Sequence, residues 1–426
     1  MIPNSDSDSS ARTLALNFEG LPEAVLLTGS PSLLQRFREH FALWPHTVQE
    51  EAFSLELCGG AAPLLRVRES ARGGFRVSAA GAREERYDSA AAMLCDAGID
   101  LAEAFVHVQS SLFCLHCSAV ALTTEDGPKL AVFPNVNRAG KSLLAASFLL
   151  HGGRIAADDL LGVTEQGEGL SFGLSPRLRL PLPPSSQELA QALPSIPGVE
   201  DGHYRFLYAG AFSLAAFGER CPIGAFILPR RTAGARPHLH RLMPQAALPW
   251  LVYQFQMAGG QAGAVFKLAS RLCRERPLWL LEYDGAEEAA QYLAAEAERL
   301  FSFLPEEEAP LSSVAFLTDE DRLSYAPRGR HPLFSSRKHR RWVQASGVAV
   351  HEEGDSIFLI PEAQDAIFTL DRIGQAVWAL LAEPLSIAEA ASLLAEVFPQ
   401  TGREKLECDM IRFFRTLFEQ GLVQRA

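Results

Sequence analysis

Residues 133–145 read FPNVNRAGKSLLA. Gly140, Lys141 and Ser142 supply the second half of the phosphate-loop pattern G-x-x-x-x-G-K-[ST], and Asn135 stands where its first glycine belongs. In such a loop, backbone N–H groups at a helix start face phosphate oxygens, a lysine ammonium offsets their charge, and a serine hydroxyl can ligate Mg2+. Asn tolerates positive φ better than most residues with a side chain, and Arg138 adds positive charge inside the loop. The tetrapeptide AGKS by itself is equally an ordinary helix start.

Asp158 and Asp159 follow Lys141 by about eighteen positions, at the end of an apolar strand. Two adjacent acids there are costly unless they meet a cation or water. Beside Mg2+ and a nucleotide, one can hold the metal while the other accepts a proton from an incoming hydroxyl. A solvated acidic turn is the alternative. His116, in LFCLHCSAVAL, lies on an apolar strand, where a single histidine is more often a satisfied core group than a catalyst. Cys114 and Cys117 form a lone C-x-x-C within that strand and read as buried thiols rather than a zinc or redox pair. Arg177 and Arg179 alternate along SPRLRLPLPP and suit either an anionic substrate or a solvated strand face.

The elements that must position these residues are legible. A helix (DLAEAFVHVQSSLF), strands (LHCSAVALTT and KLAVFP), the loop, a helix (SLLAASFLLHGG) and a strand (RIAADDLLGV) make a βαβ unit, the setting that a phosphate loop requires. Upstream, a polar tail of about a dozen residues precedes short strands in RTLALNFEG, EAVLLTGS, SLELCGG and LLRVRES, with a helix in PSLLQRFREHFALW. Residues 170–245 read as strands and Pro-rich turns, and YDGAEEAAQYLAAEAERLFSFL as helix ending at Pro305. A charged, Pro-containing stretch then serves as linker. The last segment predicts a β-hairpin, a short strand and three helices. Ser386 and Glu389 form a capping box at the second helix.

With 426 residues the chain predicts two or three domains. A net charge of −12 argues against nucleic acid or anionic lipid as partner. Scattered cysteines and a polar N-terminus predict a reducing cytoplasm, and no run of 18 apolar residues predicts a membrane span.

The order LHCSAVAL, FPNVNRAGKS, GRIAADDLLGV resembles the HPr kinase/phosphorylase superfamily and its HPr-kinase-related branch, whose fold is kin to phosphoenolpyruvate carboxykinase. The resemblance implies ATP and Mg2+ as ligands and a nucleotide-binding set of Asn135, Asn137, Arg138, Ala139, Gly140, Lys141 and Ser142. It further implies Ser142 and Asp159 at the metal, Asp158 as general base with the two Asp roles exchangeable, His116 as an active-site histidine, and Arg177 and Arg179 at substrate. The chain departs from the bifunctional enzymes at Asn135 and lacks a copy of their C-terminal Arg-Gly signature, so neither phosphorolysis nor HPr as substrate is implied. HPr-type kinases oligomerise, which makes a homo-oligomer an expectation.

The final segment, from GVAVHEEGDSIFLI to FFRTLFEQGLV, resembles the PqqD-like fold, the recognition element of ribosomal peptide biosynthesis. Its motif residues are Leu370, Asp371, Gly374 and Trp378. In that family a leader peptide adds a strand to the third β-strand and packs on the third helix. The matching positions here are Ile367, Phe368 and Thr369 on the strand, and Arg412, Phe413 and Leu417 on the helix. Phe413, Phe414, Leu417 and Phe418 are equally a core stripe, of which one or two could line a groove.

The expectation is therefore an α/β protein. An N-terminal α+β region (1–100) precedes an HPr-kinase-like P-loop domain (101–305), a linker (306–340) and a winged-helix, PqqD-like domain (341–426). Its expected activity is ATP-dependent phosphorylation of a Ser or Thr hydroxyl in a precursor peptide held by its leader. Two rivals stand beside it: a non-catalytic nucleotide-binding scaffold, and a kinase of a small molecule or carrier protein.

Overall fold

A computed structural model of the chain describes residues 12–50, 62–70, 73–79, 83–134, 140–210, 213–256, 261–303, 310–311, 339–354, 356–362 and 364–426. The expected strand in SLELCGG, nearly all of the linker, and the loop residues Asn135, Asn137, Arg138 and Ala139 lie outside the described residues. The chain forms two compact units, one of residues 1–242, 254–256 and 274–310, the other of residues 243–253, 257–273 and 311–426.

Among the described residues the first unit holds two large sheets and a two-stranded ladder of Arg177–Arg179 with Tyr204–Phe206. The N-terminal one has six strands in the order His46–Glu50, Arg12–Phe18, Val25–Gly29, Leu65–Glu69, Phe75–Ala79, Glu85–Tyr87. Helix Pro31–His40 starts as its sequence suggests, with proline in the first turn and Ser30 accepting the Leu33 N–H. The next helix, expected from Asp100, begins ten residues earlier, at Ala90, where Ser89 caps it by accepting the Ala92 N–H. Its run of small alanines hid the amphipathic signal, yet Met93, Leu94 and Leu101 are fully buried there. One core joins both sheets, with Trp44 and Phe37 from the N-terminal region beside Leu112, Leu160 and Phe172.

The second sheet is built on the long strand Leu112–Thr124. Strands Glu168–Leu170, Leu160–Thr164, Leu112–Thr124, Gly127–Pro134 and Arg220–Arg231 pair in that order, and the first also pairs with the last, closing a ring of five. Leu278–Tyr283 extends it parallel to Arg220–Arg231, and His238–Arg241 follows antiparallel. The segment RIAADDLLGV, expected as one strand, is two: Arg154–Ala157 and Leu160–Thr164, interrupted at the paired acids. The predicted helix after the loop is also shorter, Lys141–Ser147 continued by a 3-10 turn to His151.

In the second unit, strands Val348–Glu353, Ser356–Pro361 and Phe368–Leu370 form an antiparallel sheet. Helices Arg372–Leu380, Ile387–Val397 and Arg403–Glu419 follow, and Arg341–Gln344 pairs with Leu385–Ser386 and Val423–Arg425. The expected capping box is present: the Ser386 hydroxyl accepts the Glu389 N–H and the Glu389 carboxylate accepts the Ser386 N–H. Helix Ala262–Glu275, from a stretch assigned by sequence to the ATP-binding domain, contributes Phe266 to this unit, its ring 5.0 Å from Phe358. Asp365 caps that helix by accepting the Ala262 N–H at 2.7 Å.

Candidate active site

Gly140 adopts φ +88° immediately before helix Lys141–Ser147, a left-handed conformation that glycine reaches without steric cost. A methyl group at this position would stand 2.8 Å from the Tyr283 hydroxyl, so close approach is a second reason for glycine. Lys141 is 6% exposed, and burial holds its ammonium below the usual lysine range while Asp158 and Asp159 oppose that shift. A cation is thus kept at the mouth of the helix, facing two acids.

The interruption at Asp158 and Asp159 is what aims them. Ala119 pairs with Ala157 and His116 with Leu160, in phase across the interruption although the register shifts by one beyond Ala119, so Asp158 lies opposite Ser118 and Asp159 opposite Cys117. Asp159 has φ +70°, and the strict alternation of a strand is lost there. Both acids consequently reach one arginine: Arg177 donates its backbone N–H to Asp158 Oδ2 at 2.9 Å and its guanidinium pairs with Asp159 at 3.1 Å.

Asp158 is buried and accepts a hydrogen bond from the Ser118 hydroxyl. Burial, and then the neighbouring Asp159 charge, push its carboxyl up to about 6, against hydrogen bonds from Ser118, Arg177 and Ser142 that favour the charged form. His116 sits on the same strand two positions before Ser118. Its imidazole is held below the ordinary histidine range by burial first and then by the Lys141 charge, with Asp159 and Gln254 opposing. A neutral imidazole beside Lys141, Asp159 and Arg177 can exchange a proton or orient a partner.

The structure therefore brings together Gly140, Lys141, Ser142, Asp158, Asp159, His116 and Arg177. Arg179 joins this group through Tyr204. Its guanidinium donates to the Tyr204 hydroxyl at 3.2 Å, and the Tyr204 ring carries both arginines, at 4.8 Å from Arg177 and 5.5 Å from Arg179. Sequence reasoning missed Ser118, Tyr204 and Tyr283. Ser118 had a signal, the two-residue strand period from His116; Tyr204 had none, because its pairing with Arg179 closes a loop of irregular sequence.

Ser142, Asp158 and Asp159 present oxygen donors alone, the chemistry that a hard divalent cation takes. Lys141 and the glycine start supply the positive charge and bare backbone that a polyphosphate takes. The residues present thus fit Mg2+ and a nucleoside triphosphate. Cys114 and Cys117 are free and buried, with Cys114 donating to Gln256. Among the described residues no cluster of three or more His, Cys, Asp or Glu is placed to hold a metal ion, and no helix is long and apolar enough to cross a membrane.

In the C-terminal domain the motif residues each have a local task. Leu370 is buried, the Asp371 carboxylate caps helix Arg372–Leu380 by accepting the Gly374 N–H at 2.7 Å, and Trp378 lies in the core. A methyl at Gly374 would stand 3.2 Å from the Asp371 carboxylate and 3.3 Å from the Phe413 ring, tighter than ordinary contact. Strand Phe368–Leu370 pairs on one side with Ser356–Pro361 and is last in its sheet among the described residues, with Thr369 exposed and Ile367 and Phe368 half-buried. Arg412 is exposed and paired with Asp409, and Phe413 is half-buried. Leu417 corrects the sequence expectation: at 2% exposure it belongs to the core with Phe414, while Phe418 of the same stripe is 41% exposed.

No curated protein matches the chain. Residues 348–423 match the family model described as Coenzyme PQQ synthesis protein D (PqqD). The described strands and helices of this segment, with its Leu370, Asp371, Gly374 and Trp378 in structural roles, make the C-terminal part of the chain a PqqD domain.

Proposed function

We propose that this chain is an ATP-dependent kinase that binds the leader of a ribosomally made precursor peptide through its PqqD domain and phosphorylates a Ser or Thr hydroxyl of that peptide. The observation that carries the reading is Asp158, a buried carboxyl of raised proton affinity held by three donors within reach of Lys141. Burial, a neighbouring like charge and convergent donors at one carboxyl are the means by which a site tunes a group for proton transfer.

In this reading Gly140 and Lys141 bind the triphosphate, and Ser142 with Asp159 holds Mg2+, which supplies charge neutralisation when bound. The Asp158 carboxylate takes the proton of the acceptor hydroxyl as that oxygen bonds to the γ-phosphorus, and the bond from phosphorus to the ADP oxygen breaks. Arg177 holds Asp159 in place through their ion pair. The leader adds a strand to the edge at Phe368–Leu370, with Phe413 beside it, and tethering raises the effective concentration of a weakly held acceptor.

A second reading exchanges the two acids. It is favoured by the support that the Ser142 hydroxyl lends the charged form of Asp158, a pairing that suits a metal ligand.

The test is intact-mass analysis of a candidate precursor peptide after incubation with the protein and Mg-ATP. A gain of one phosphoryl mass, absent with Lys141→Ala and Asp158→Asn, supports the kinase. Peptide binding without a mass gain favours a scaffold; transfer to a small molecule or carrier, without peptide binding, favours the other rival.

A further inference from the structure

Tyr283 ends the strand Leu278–Tyr283 and is 1% exposed, with its ring in the core shared by Phe133, Leu144 and Trp279. Its hydroxyl is buried and has no hydrogen-bond partner among the described residues. An unpaired buried hydroxyl is expensive, and a phenylalanine of the same shape would fill the core without that cost. The hydroxyl abuts Gly140, where any side chain would meet it at 2.8 Å. An orphan donor is therefore stationed against the one described glycine of the phosphate loop. Burial raises the phenol to about 12, so the group is a neutral O–H donor throughout the physiological range.

We propose that Tyr283 is a nucleotide contact: when ATP binds, its hydroxyl donates to a phosphate oxygen at the Gly140 end of the loop. The inference rests on the ATP-binding reading given above. It explains both halves of the observation. The hydroxyl is retained because its partner arrives with the ligand, and Gly140 lacks a side chain because one would cover that donor. An anionic oxygen is the acceptor that repays a buried hydroxyl most.

The test is Tyr283→Phe in the full chain, titrated calorimetrically with Mg-ATP beside the wild type and Lys141→Ala, and melted without nucleotide. The expected result is a Kd raised about tenfold or more, with a melting temperature of the free protein equal to or above that of the wild type. An unchanged Kd overturns the proposal while leaving ATP binding intact. A lowered melting temperature of the free variant overturns it as well, since the hydroxyl would then have a partner before ligand arrives. A wild type that binds no Mg-ATP overturns the ATP reading itself, and Tyr283's role with it.

Discussion

Asp158 accepts the backbone N–H of Arg177 at 2.9 Å, across 19 residues of sequence. Because the donor is main chain, this contact survives replacement of the arginine side chain, whereas the guanidinium pairing with Asp159 at 3.1 Å does not. Arg177→Ala therefore spares the Asp158 contact while removing the ion pair with Asp159, together with the side chain's contacts to Tyr204 and Cys95. The expected outcome is a fall in phosphoryl transfer of about tenfold or more, with a stability loss of about 1 kcal/mol or less because the pair is partly exposed. Steady-state kinetics and thermal melts of the same preparation check it; a large stability loss with normal turnover would contradict it.

Asp158 binds its proton more tightly in the folded chain than in the unfolded one. Burial penalises the charged carboxylate, so its folded pKa of about 6 exceeds the ordinary value of 3.8. The favourable contribution is then present below the unfolded pKa and is lost as pH rises through the folded one. Asp158→Asn removes that loss. The variant should be more stable than the wild type at pH 8, by about 1–3 kcal/mol, and no more stable at pH 4. Transfer by the wild type should in turn fall as pH drops through about 6, as the base becomes protonated. Melts at the two pH values and a pH–rate profile measure these effects.

Lys141 is nearly buried against two acids. Lys141→Ala should raise the Kd for Mg-ATP at least tenfold, the scale of a lost charge-assisted contact, while a peptide titrated onto the PqqD domain binds as before. Calorimetry of both ligands on one variant separates loss of the nucleotide site from loss of fold.

Phe413 and Phe414 are neighbours with different expected phenotypes. Phe414 is fully buried, and Phe414→Ala should cost about 3–5 kcal/mol and unfold the domain. Phe413 is half-buried, and Phe413→Ala should cost much less stability yet weaken peptide binding. Fluorescence anisotropy of a labelled leader peptide, beside a denaturant melt, tells the two apart; equal peptide affinity in Phe413→Ala would remove that residue from the binding surface.

Gly374→Ala introduces a methyl 3.2 Å from the Asp371 carboxylate, 3.3 Å from the Phe413 ring and 3.4 Å from the Leu370 Cβ. The helix propensity gained, about 1 kcal/mol, is opposed by three tight contacts, one of them with the helix cap. We expect a net loss of about 1–2 kcal/mol, read as a lower melting temperature. A rise would mean that Phe413 moves aside without cost.

Much of the C-terminal domain was legible in its residues because its signals are local. A capping box, an Asp cap followed by glycine and tryptophan, and amphipathic helices depend on spacing within one or two turns. The helix Ala90–Val108 starts earlier than its apolar period indicates for an equally local reason, since alanine is buried without marking an apolar face. The grouping of helix Ala262–Glu275 with the C-terminal strands was not legible, because it depends on a long-range contact such as that of Phe266 with Phe358.

At the candidate site, residue types and order along the chain named Lys141, Ser142, the Asp pair and His116, because a phosphate loop and its acids are contiguous motifs. Their arrangement was decided only in three dimensions. The left-handed φ of Asp159, the reach of Arg177 to both acids, the hydroxyl of Ser118 opposite Asp158 and the Tyr283 hydroxyl against Gly140 arise where separate strands meet. Sequence determines which groups a chain can offer; burial and cross-strand register determine their proton affinities and partners, and neither is a property of any one segment.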